Sequence, residues 1–305
     1  MDKYDIIIVG GGPGGLTAGI YAGRQGTKNL IVDKDLAGGM GREVPEMENY
    51  PGYENISGLE LIEIMKTQAE KNTEIHEFEN VESIEKIEEL EYNFKVKTSK
   101  TCYLTKTVIL STGSSHSHLN AKGEDEFLGR GVSYCATCDG LFFQNRNIIV
   151  VGGGNSALQE AIYLNNIGCN VTLIHRREEF RAQKHLQDMI KKEGINIIYN
   201  SVVEEIKGDV LVESVVLKDT KTGELNEIEI NGIFISIGYK PHNELAKQLD
   251  IELDESGHII VDKEQKTNVE YVYAIGDVCA GLKQWIVACG EGAVAATSAY
   301  HDIKN

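Results

Sequence analysis

Cys135-Ala136-Thr137-Cys138 is a closely spaced dithiol followed at once by a carboxylic acid, Asp139. Two cysteines separated by two residues at a helix start or turn can close a small-ring disulfide, and a neighbouring positive field lowers the thiolate pKa of one of them. A carboxyl beside the pair can give a proton to a released thiolate. Two other readings compete, a zinc half-site and a pair of structural cysteines. Zinc needs two more ligands at similar spacing, whereas Cys102, Cys169, Cys279 and Cys289 are scattered singly, which argues against any metal site. Those four read as buried small apolar residues. Asp139 taken alone fits an ordinary turn ahead of Gly140 equally well.

The dithiol lies between two glycine-rich loops, each closing an aliphatic run. Gly10-x-Gly12-x-x-Gly15 follows Ile6-Ile7-Ile8-Val9, and Gly152-x-Gly154-x-x-Ala157 follows Ile148-Ile149-Val150-Val151. Glycine there lets the backbone turn tightly and lets a pyrophosphate approach the N-terminus of the next helix. A turn that binds nothing has the same outline, so the following strand decides. The first copy ends in Asp33, an acid that accepts hydrogen bonds from ribose hydroxyls and suits a cofactor without a 2′-phosphate. The second ends in His175-Arg176-Arg177, with Arg181 one turn further on, and guanidinium groups clamp a 2′-phosphate with paired hydrogen bonds. The bland alternative is a solvated charged helix, since Glu178 and Glu179 share the run. A nicotinamide hydride needs a flavin between it and a disulfide, which assigns FAD to the first loop and NADPH to the second. Asp277, after Gly276, then holds the ribityl chain of the flavin, and a helix starting near Gln284 aims its N-terminal dipole at the flavin oxygen that gains charge on reduction.

The elements around these residues repeat. Residues 6–33 match 148–175 at a constant offset of 142 without a gap, each copy a strand, a glycine turn, a helix and a second strand. Thr107-Val108-Ile109-Leu110 and Gly232-Ile233-Phe234-Ile235 are buried-type strands, one after each copy, running into small-residue turns at Gly113 and Gly238 where the chain crosses between domains. The expected fold class is α/β, with two Rossmann-like dinucleotide-binding domains of three-layer ββα type, the second inserted in the first. The FAD domain spans 1–113 plus 241–305 and the NADPH domain, with the dithiol, spans 114–240. The stretches 74–106 and 202–229 read as antiparallel hairpins. A strand at 271–275 and a small-residue helix from about 284 to 300 complete the reading.

With 305 residues and 41% hydrophobic content, the chain can fill two cores. Its formal net charge of -17 disfavours nucleic acid and anionic membranes as partners. The apolar run at 6–9 is too short and too acid-flanked for a signal sequence or membrane span, which makes a cytoplasmic location the default.

Taken together, Gly129-Arg130-Gly131-Val132-Ser133-Tyr134-Cys135-Ala136-Thr137-Cys138-Asp139-Gly140 resembles the redox motif of the low-molecular-weight thioredoxin reductases. Gly10-Gly11-Gly12-Pro13-Gly14-Gly15, Glu48-Asn49-Tyr50-Pro51-Gly52, the second loop with its arginine cluster, and Ala274-Ile275-Gly276-Asp277-Val278 fit the same family in order along the whole chain. The resemblance implies a homodimeric flavoenzyme passing electrons from NADPH to FAD, to the Cys135-Cys138 disulfide, and on to thioredoxin or a thioredoxin-like or glutaredoxin-like protein. It gives Cys138 the place facing the flavin, Cys135 the attack on the partner disulfide, and Asp139 the proton transfer. A swivel of the inserted domain near Gly113 and Gly238 would let nicotinamide and disulfide take turns at the flavin. For FAD it implies Gly10, Gly12, Pro13, Gly14 and Gly15, then Asp33, Lys34, Gly38, Gly39 and Met40. It adds Asn49, Val81, Thr112 and Gly113, and finally Gly276, Asp277, Lys283, Gln284 and Trp285. For NADPH it implies Gly152, Gly154, Asn155, Ser156, Ala157, His175, Arg176, Arg177 and Arg181.

The chain departs from that pattern where the flavin ring should lie. Met40-Gly41-Arg42-Glu43 stands where the family has Gln and then threonines, and Lys283-Gln284-Trp285 replaces Arg-Gln-Ala. Leu141 stands beside the dithiol where an aromatic is frequent. Three alternatives remain open on sequence: a same-fold reductase fed by reduced deazaflavin or ferredoxin, a small-molecule dithiol oxidase, and a nucleotide-binding redox sensor.

Overall fold

The computed structural model describes residues 1–44, 47–87 and 91–304. The chain divides into two compact units, Met1–Ser115 with Lys240–Asn305, and His116–Tyr239.

In the first unit the strand Asp2–Val9 pairs in parallel with Asn29–Val32 on one side and Cys102–Leu110 on the other, so that Ile8 stands opposite both Ile31 and Ile109. Ile6, Ile7 and Ile8 are fully buried, because this sheet is covered on both faces. Alternation decides which cover each residue meets. Ile6 and Ile8 pack with Leu16, Ala295 and Ala296 from the helices Pro13–Arg24 and Trp285–Lys304. Ile7 and Val9 face Val81, Ile84, Phe94 and Val96. Those four belong to the antiparallel strands Val81–Lys86 and Phe94–Thr98, which join the first half of Cys102–Leu110, while its second half pairs in parallel with Val272–Ala274. Helices, parallel sheet and antiparallel meander make the three-layer ββα arrangement.

One expectation is corrected. Glu74–His76 belongs to no hairpin but runs parallel to Asn29–Val32 at the sheet edge. It follows the helix Gly58–Ala69, and a strand entered through a crossover helix pairs in parallel. The rest of the stretch is antiparallel as expected, Phe94–Thr98 pairing with Val81–Lys86 on one side and with Cys102–Leu110 on the other, and residues 88–90 lie outside the described residues. The helix expected from 284 to 300 runs instead as Trp285–Lys304. Its small residues have a packing cause: a Cβ on Gly292 would stand 2.3 Å from the carbonyl oxygen of Gly14, so the two helices approach backbone to backbone.

The second unit has a five-stranded parallel sheet in the order Asn196–Ile198, Asn170–Ile174, Asn147–Gly152, Gly232–Ser236, Val132–Ser133. The strands Ser201–Gly208, Val212–Asp219 and Leu225–Glu229 form a separate antiparallel sheet, where the alternating pattern at 202–229 points. The internal repeat is visible in the elements: the helices Pro13–Arg24 and Asn155–Asn166, twelve residues each, begin and end 142 positions apart. Ser114–His116 and Tyr239–Pro241, at the two crossings of the chain, pair as a two-stranded sheet. Among the described residues no helix is long and apolar enough to cross a membrane.

Candidate functional site

Cys135 and Cys138 are joined by a disulfide, their Cα atoms 5.3 Å apart. The strand Val132–Ser133 delivers Cys135 to the N-cap of the one-turn helix Ala136–Asp139, where the Cys138 N–H donates to Cys135 Sγ at 3.2 Å. An amide aimed at sulfur favours the thiolate that reduction would leave there. Ser133 Oγ accepts from the Cys135 N–H at 3.1 Å and donates to Asp139 Oδ2 at 2.6 Å. Burial raises the Asp139 carboxyl above its ordinary pKa, and the Ser133 hydrogen bond opposes the shift. The three sequence-predicted chemical residues thus meet in one turn, and Ser133, which carried no assignment in the sequence, joins them.

In the same unit, the second glycine loop is built tightly on one side and open on the other. A Cβ on Gly152 would fall 2.3 Å from Ser236 O, whereas Gly154 has nothing within 4 Å of that position. Gly154 caps the Asn155–Asn166 helix without a side-chain hydrogen bond, which leaves its first amides facing outward. Asn155 Oδ1 accepts from the Gln183 N–H at 2.8 Å, and the Arg181 N–H donates to Gly153 O at 3.0 Å, so the arginine segment is folded back onto the loop. Arg176, Arg177 and Arg181 are exposed, and among the described residues no hydrogen bond or ion pair occupies their guanidinium groups. Glu178, the nearby acid that a solvated charged helix would pair with arginine, bonds Lys221 instead. Ser156 is exposed at the helix start and Ala157 is buried beneath it.

His175 sits differently from its neighbours. Its ring is buried against Gly153, Nδ1 lies 3.0 Å from Gly152 O, and Nε2 lies 2.9 Å from Glu179 O. Both ring nitrogens face backbone carbonyl oxygens, one of the loop and one of the segment after it, and the nitrogen that carries the proton donates. The cationic part of the cluster that faces solvent is the three arginines.

The first loop repeats the construction in its own unit. A Cβ on Gly10 would lie 2.2 Å from Ser111 O, one on Gly15 would lie 1.9 Å from Gly10 O, and Gly12 is open. Pro13 starts the helix at a position whose N–H would be unsatisfied anyway. The Gly38 N–H donates to Gly11 O at 2.8 Å with φ of 132°, which brings Gly39 against Gly12. Asp33 Oδ2 accepts from the Gly11 N–H at 2.7 Å and Oδ1 from the Asp35 N–H at 2.9 Å. Burial raises the Asp33 carboxyl, and the two amides oppose it. Lys34 is exposed beside it, and Met40 is half-buried in the turn Gly39–Glu43.

The remaining predicted residues gather in that unit from distant parts of the chain. Asn49 Nδ2 donates to Gln284 Oε1 at 3.1 Å. Thr112 Oγ1 donates to His242 O at 2.7 Å, and the His242 N–H to Gly113 O at 3.0 Å. Val81 lies in the core at the head of its strand, so only its backbone is available to a ligand. Gly276 has φ of 71°, and its N–H donates to Glu291 Oε2 at 2.6 Å. Lys283 Nζ donates to Asp277 O at 2.7 Å and also to Cys279 O. Burial pushes the Lys283 ammonium down and the Asp277 carboxyl up, while each opposes the other's shift. Glu291 escaped the sequence reading. Its one signal was position, a lone acid inside a run of small residues.

A family model described as pyridine nucleotide-disulphide oxidoreductase matches residues 4–292. The chain is 42% identical over 299 residues to a thioredoxin reductase of Treponema pallidum, covering 97% of this chain and 96% of that protein. It is 37% identical over 304 residues to that of Bacillus subtilis, covering 99% and 95%. Among solved structures, it is similar to a thioredoxin reductase of Streptococcus pyogenes with a TM-score of 0.92 at 40% identity, covering 99% of this chain and 98% of the other. The similarity to one from Giardia duodenalis has a TM-score of 0.93 at 34% identity, covering 100% of both.

Proposed function

The chain belongs to the pyridine nucleotide-disulphide oxidoreductase family, and we propose that it is a thioredoxin-disulphide reductase drawing on NADPH through FAD. The observation that carries this reading is the Cys135–Cys138 disulfide with a half-buried Asp139 beside it, in a chain whose two glycine loops lead to Asp33 and to three arginines whose guanidinium groups pair with nothing among the described residues.

The residues fit the cofactors. The bare backbone at Gly12 and Gly39 would take the pyrophosphate of FAD, Asp33 keeps lone pairs for ribose hydroxyls, and Asp277 lies at the turn held by Glu291. Gly154 leaves the corresponding space for a second dinucleotide, and Arg176, Arg177 and Arg181 would hold its 2′-phosphate. When bound, the nicotinamide and the flavin supply two electrons to the disulfide. Cys135, with an amide on its sulfur, attacks the disulfide of thioredoxin as a thiolate and forms a mixed disulfide. Cys138 then attacks Cys135 Sγ, the partner leaves with both its thiols, and the internal disulfide is restored. Asp139 moves the proton that this exchange requires. Exposed Leu141 and Phe142, next to the pair, offer an apolar edge to the partner. The same reading carries a homodimer in the cytoplasm.

Anaerobic mixing with NADPH tests it. The flavin absorbance should bleach, two thiols should become titratable, and added thioredoxin should be reduced. A flavin that stays oxidised with NADPH yet bleaches with ferredoxin or reduced deazaflavin would overturn the donor. Thiol-dependent oxygen consumption without thioredoxin reduction would overturn the acceptor.

A further inference from the structure

Ser133 is buried, only 4% exposed, and its single hydroxyl has three polar neighbours. The Cys135 N–H donates to it at 3.1 Å, Asp139 Oδ2 lies 2.6 Å away, and the Cys135 carbonyl oxygen lies 3.4 Å away. We propose that Ser133 is a positioning residue of the dithiol site, whose hydroxyl links the Asp139 carboxyl to the backbone of Cys135 so that the proton on one and the seat of the other change together.

A serine hydroxyl has one hydrogen to give and accepts in return. While Asp139 is ionised, that hydrogen goes to the carboxylate, where a charge-assisted bond at 2.6 Å outcompetes a longer one to a neutral carbonyl. The chain then runs in one direction, from the Cys135 amide through Ser133 to Asp139, and each bond polarises the next. Once Asp139 carries a proton, its oxygen no longer demands a donor. The hydroxyl is free to turn to the Cys135 carbonyl, and the carboxylic acid has a hydrogen of its own to give.

This places Ser133 in the proton balance of the reaction, and the inference rests on the proposed reductase reading. Cleavage of the Cys135–Cys138 bond takes two electrons from the nicotinamide and flavin and leaves two sulfurs needing two protons to become thiols. Asp139 gives one proton to a released thiolate, an S–H bond forms as its O–H bond breaks, and the carboxylate recovers the Ser133 hydrogen bond. The second proton comes from solvent or stays off as a thiolate. Around Asp139, the groups on adjoining elements are few. The disulfide lies on its own turn and Ser133 on the preceding strand, while Tyr163 of the Asn155–Asn166 helix and the Cys169 thiol both meet Gly140, the next residue. No charged side chain among the described residues contributes to its shift.

The test uses the full-length enzyme reduced with dithiothreitol, so that it does not depend on the nucleotide donor, and reads the ultraviolet thiolate absorbance against pH. In Ser133→Ala the step that Asp139→Asn removes should move up by about one pH unit, since the variant loses a donor to the ionised form. Ser133→Thr should restore it, and the double variant should titrate like Asp139→Asn alone. A Ser133→Ala midpoint equal to that of wild type would overturn the proposal. If Ser133→Ala does not fold, difference infrared spectra of oxidised and reduced wild type decide. A carboxyl band lost in Asp139→Asn and changing with redox state supports the chain, and a redox-silent carboxyl overturns it. Failure of NADPH to drive thioredoxin reduction in wild type would instead defeat the reductase reading, leaving this titration to stand or fall separately.

Discussion

Gly41 and Trp285, 244 positions apart in the chain, lie in contact: a Cβ on Gly41 would stand 2.8 Å from both Cζ3 and Cη2 of the indole. Two departures from the family pattern are therefore one place in space. The bulky ring took the volume that a side chain at position 41 needs, and Tyr50 meets the same ring edge-on at 6.3 Å between centroids. Gly41→Thr alone should destabilise the protein by about 1–3 kcal/mol through overpacking. Combined with Trp285→Ala it should cost less than the sum of the two single changes, with a coupling of about 0.5–3 kcal/mol in a denaturant double-mutant cycle. Additive effects would mean the two positions are independent.

The arginine cluster predicts a kinetic signature. Arg176→Gln with Arg177→Gln should raise KM for NADPH about 10- to 100-fold, through lost charge-assisted bonds to a 2′-phosphate. KM for NADH should change little. Steady-state kinetics with both nucleotides separates this from general damage to the loop, which would weaken both.

Glu160 lies on the helix that follows the second loop, with Ser236 as its hydrogen-bond partner and Oε2 buried with no partner among the described residues. Burial pushes its carboxyl up to about 7. The folded protein therefore keeps a proton that the unfolded chain releases near 4.5, so the stabilisation is complete below that pH and is lost as pH rises through about 7. Glu160→Gln should flatten this part of the stability profile and raise stability at pH 8 by on the order of 1–3 kcal/mol. Denaturant melts from pH 5 to 8 measure it, and an unchanged slope would refute the assignment.

His116 gives the opposite sign. It stacks on Tyr134 with ring centroids 4.3 Å apart, and burial, with His118 nearby, holds its imidazole down at about 4. The unfolded chain takes up that proton near the ordinary value of 6.5, so stability is full above 6.5 and declines as pH falls toward 4. His116→Phe keeps a ring on Tyr134 and removes the charge. Thermal melts between pH 4 and 6.5 should then show a shallower loss than wild type.

How much of this was legible in the sequence depends on the range of the cause. The helices Pro13–Arg24 and Asn155–Asn166 follow from glycine turns after unbroken aliphatic runs, a local signal repeated at one offset. The disulfide turn was legible for the same reason. Ser133 and Glu160 were not, because a serine or a glutamate announces nothing until its neighbours are known. Glu74–His76 is too short for a period to declare its direction, and only the helix before it does so. Gly41 with Trp285 needed the fold, since one sequence carries no covariation between distant positions. His175 shows the limit within a correct pattern: the sequence marks a basic cluster, but not which member turns its ring inward against backbone carbonyls.

That division of labour between His175 and the arginines bears on how the protein can change. The His175 ring is packed between Gly152 O and Glu179 O, whereas the guanidinium groups of Arg176, Arg177 and Arg181 pair with nothing among the described residues. On the proposed reading, the side chains that would choose the donor are therefore other than the one that braces the loop. A lineage could then exchange one nicotinamide cofactor for another through substitutions on exposed ground, leaving the buried brace of the loop untouched.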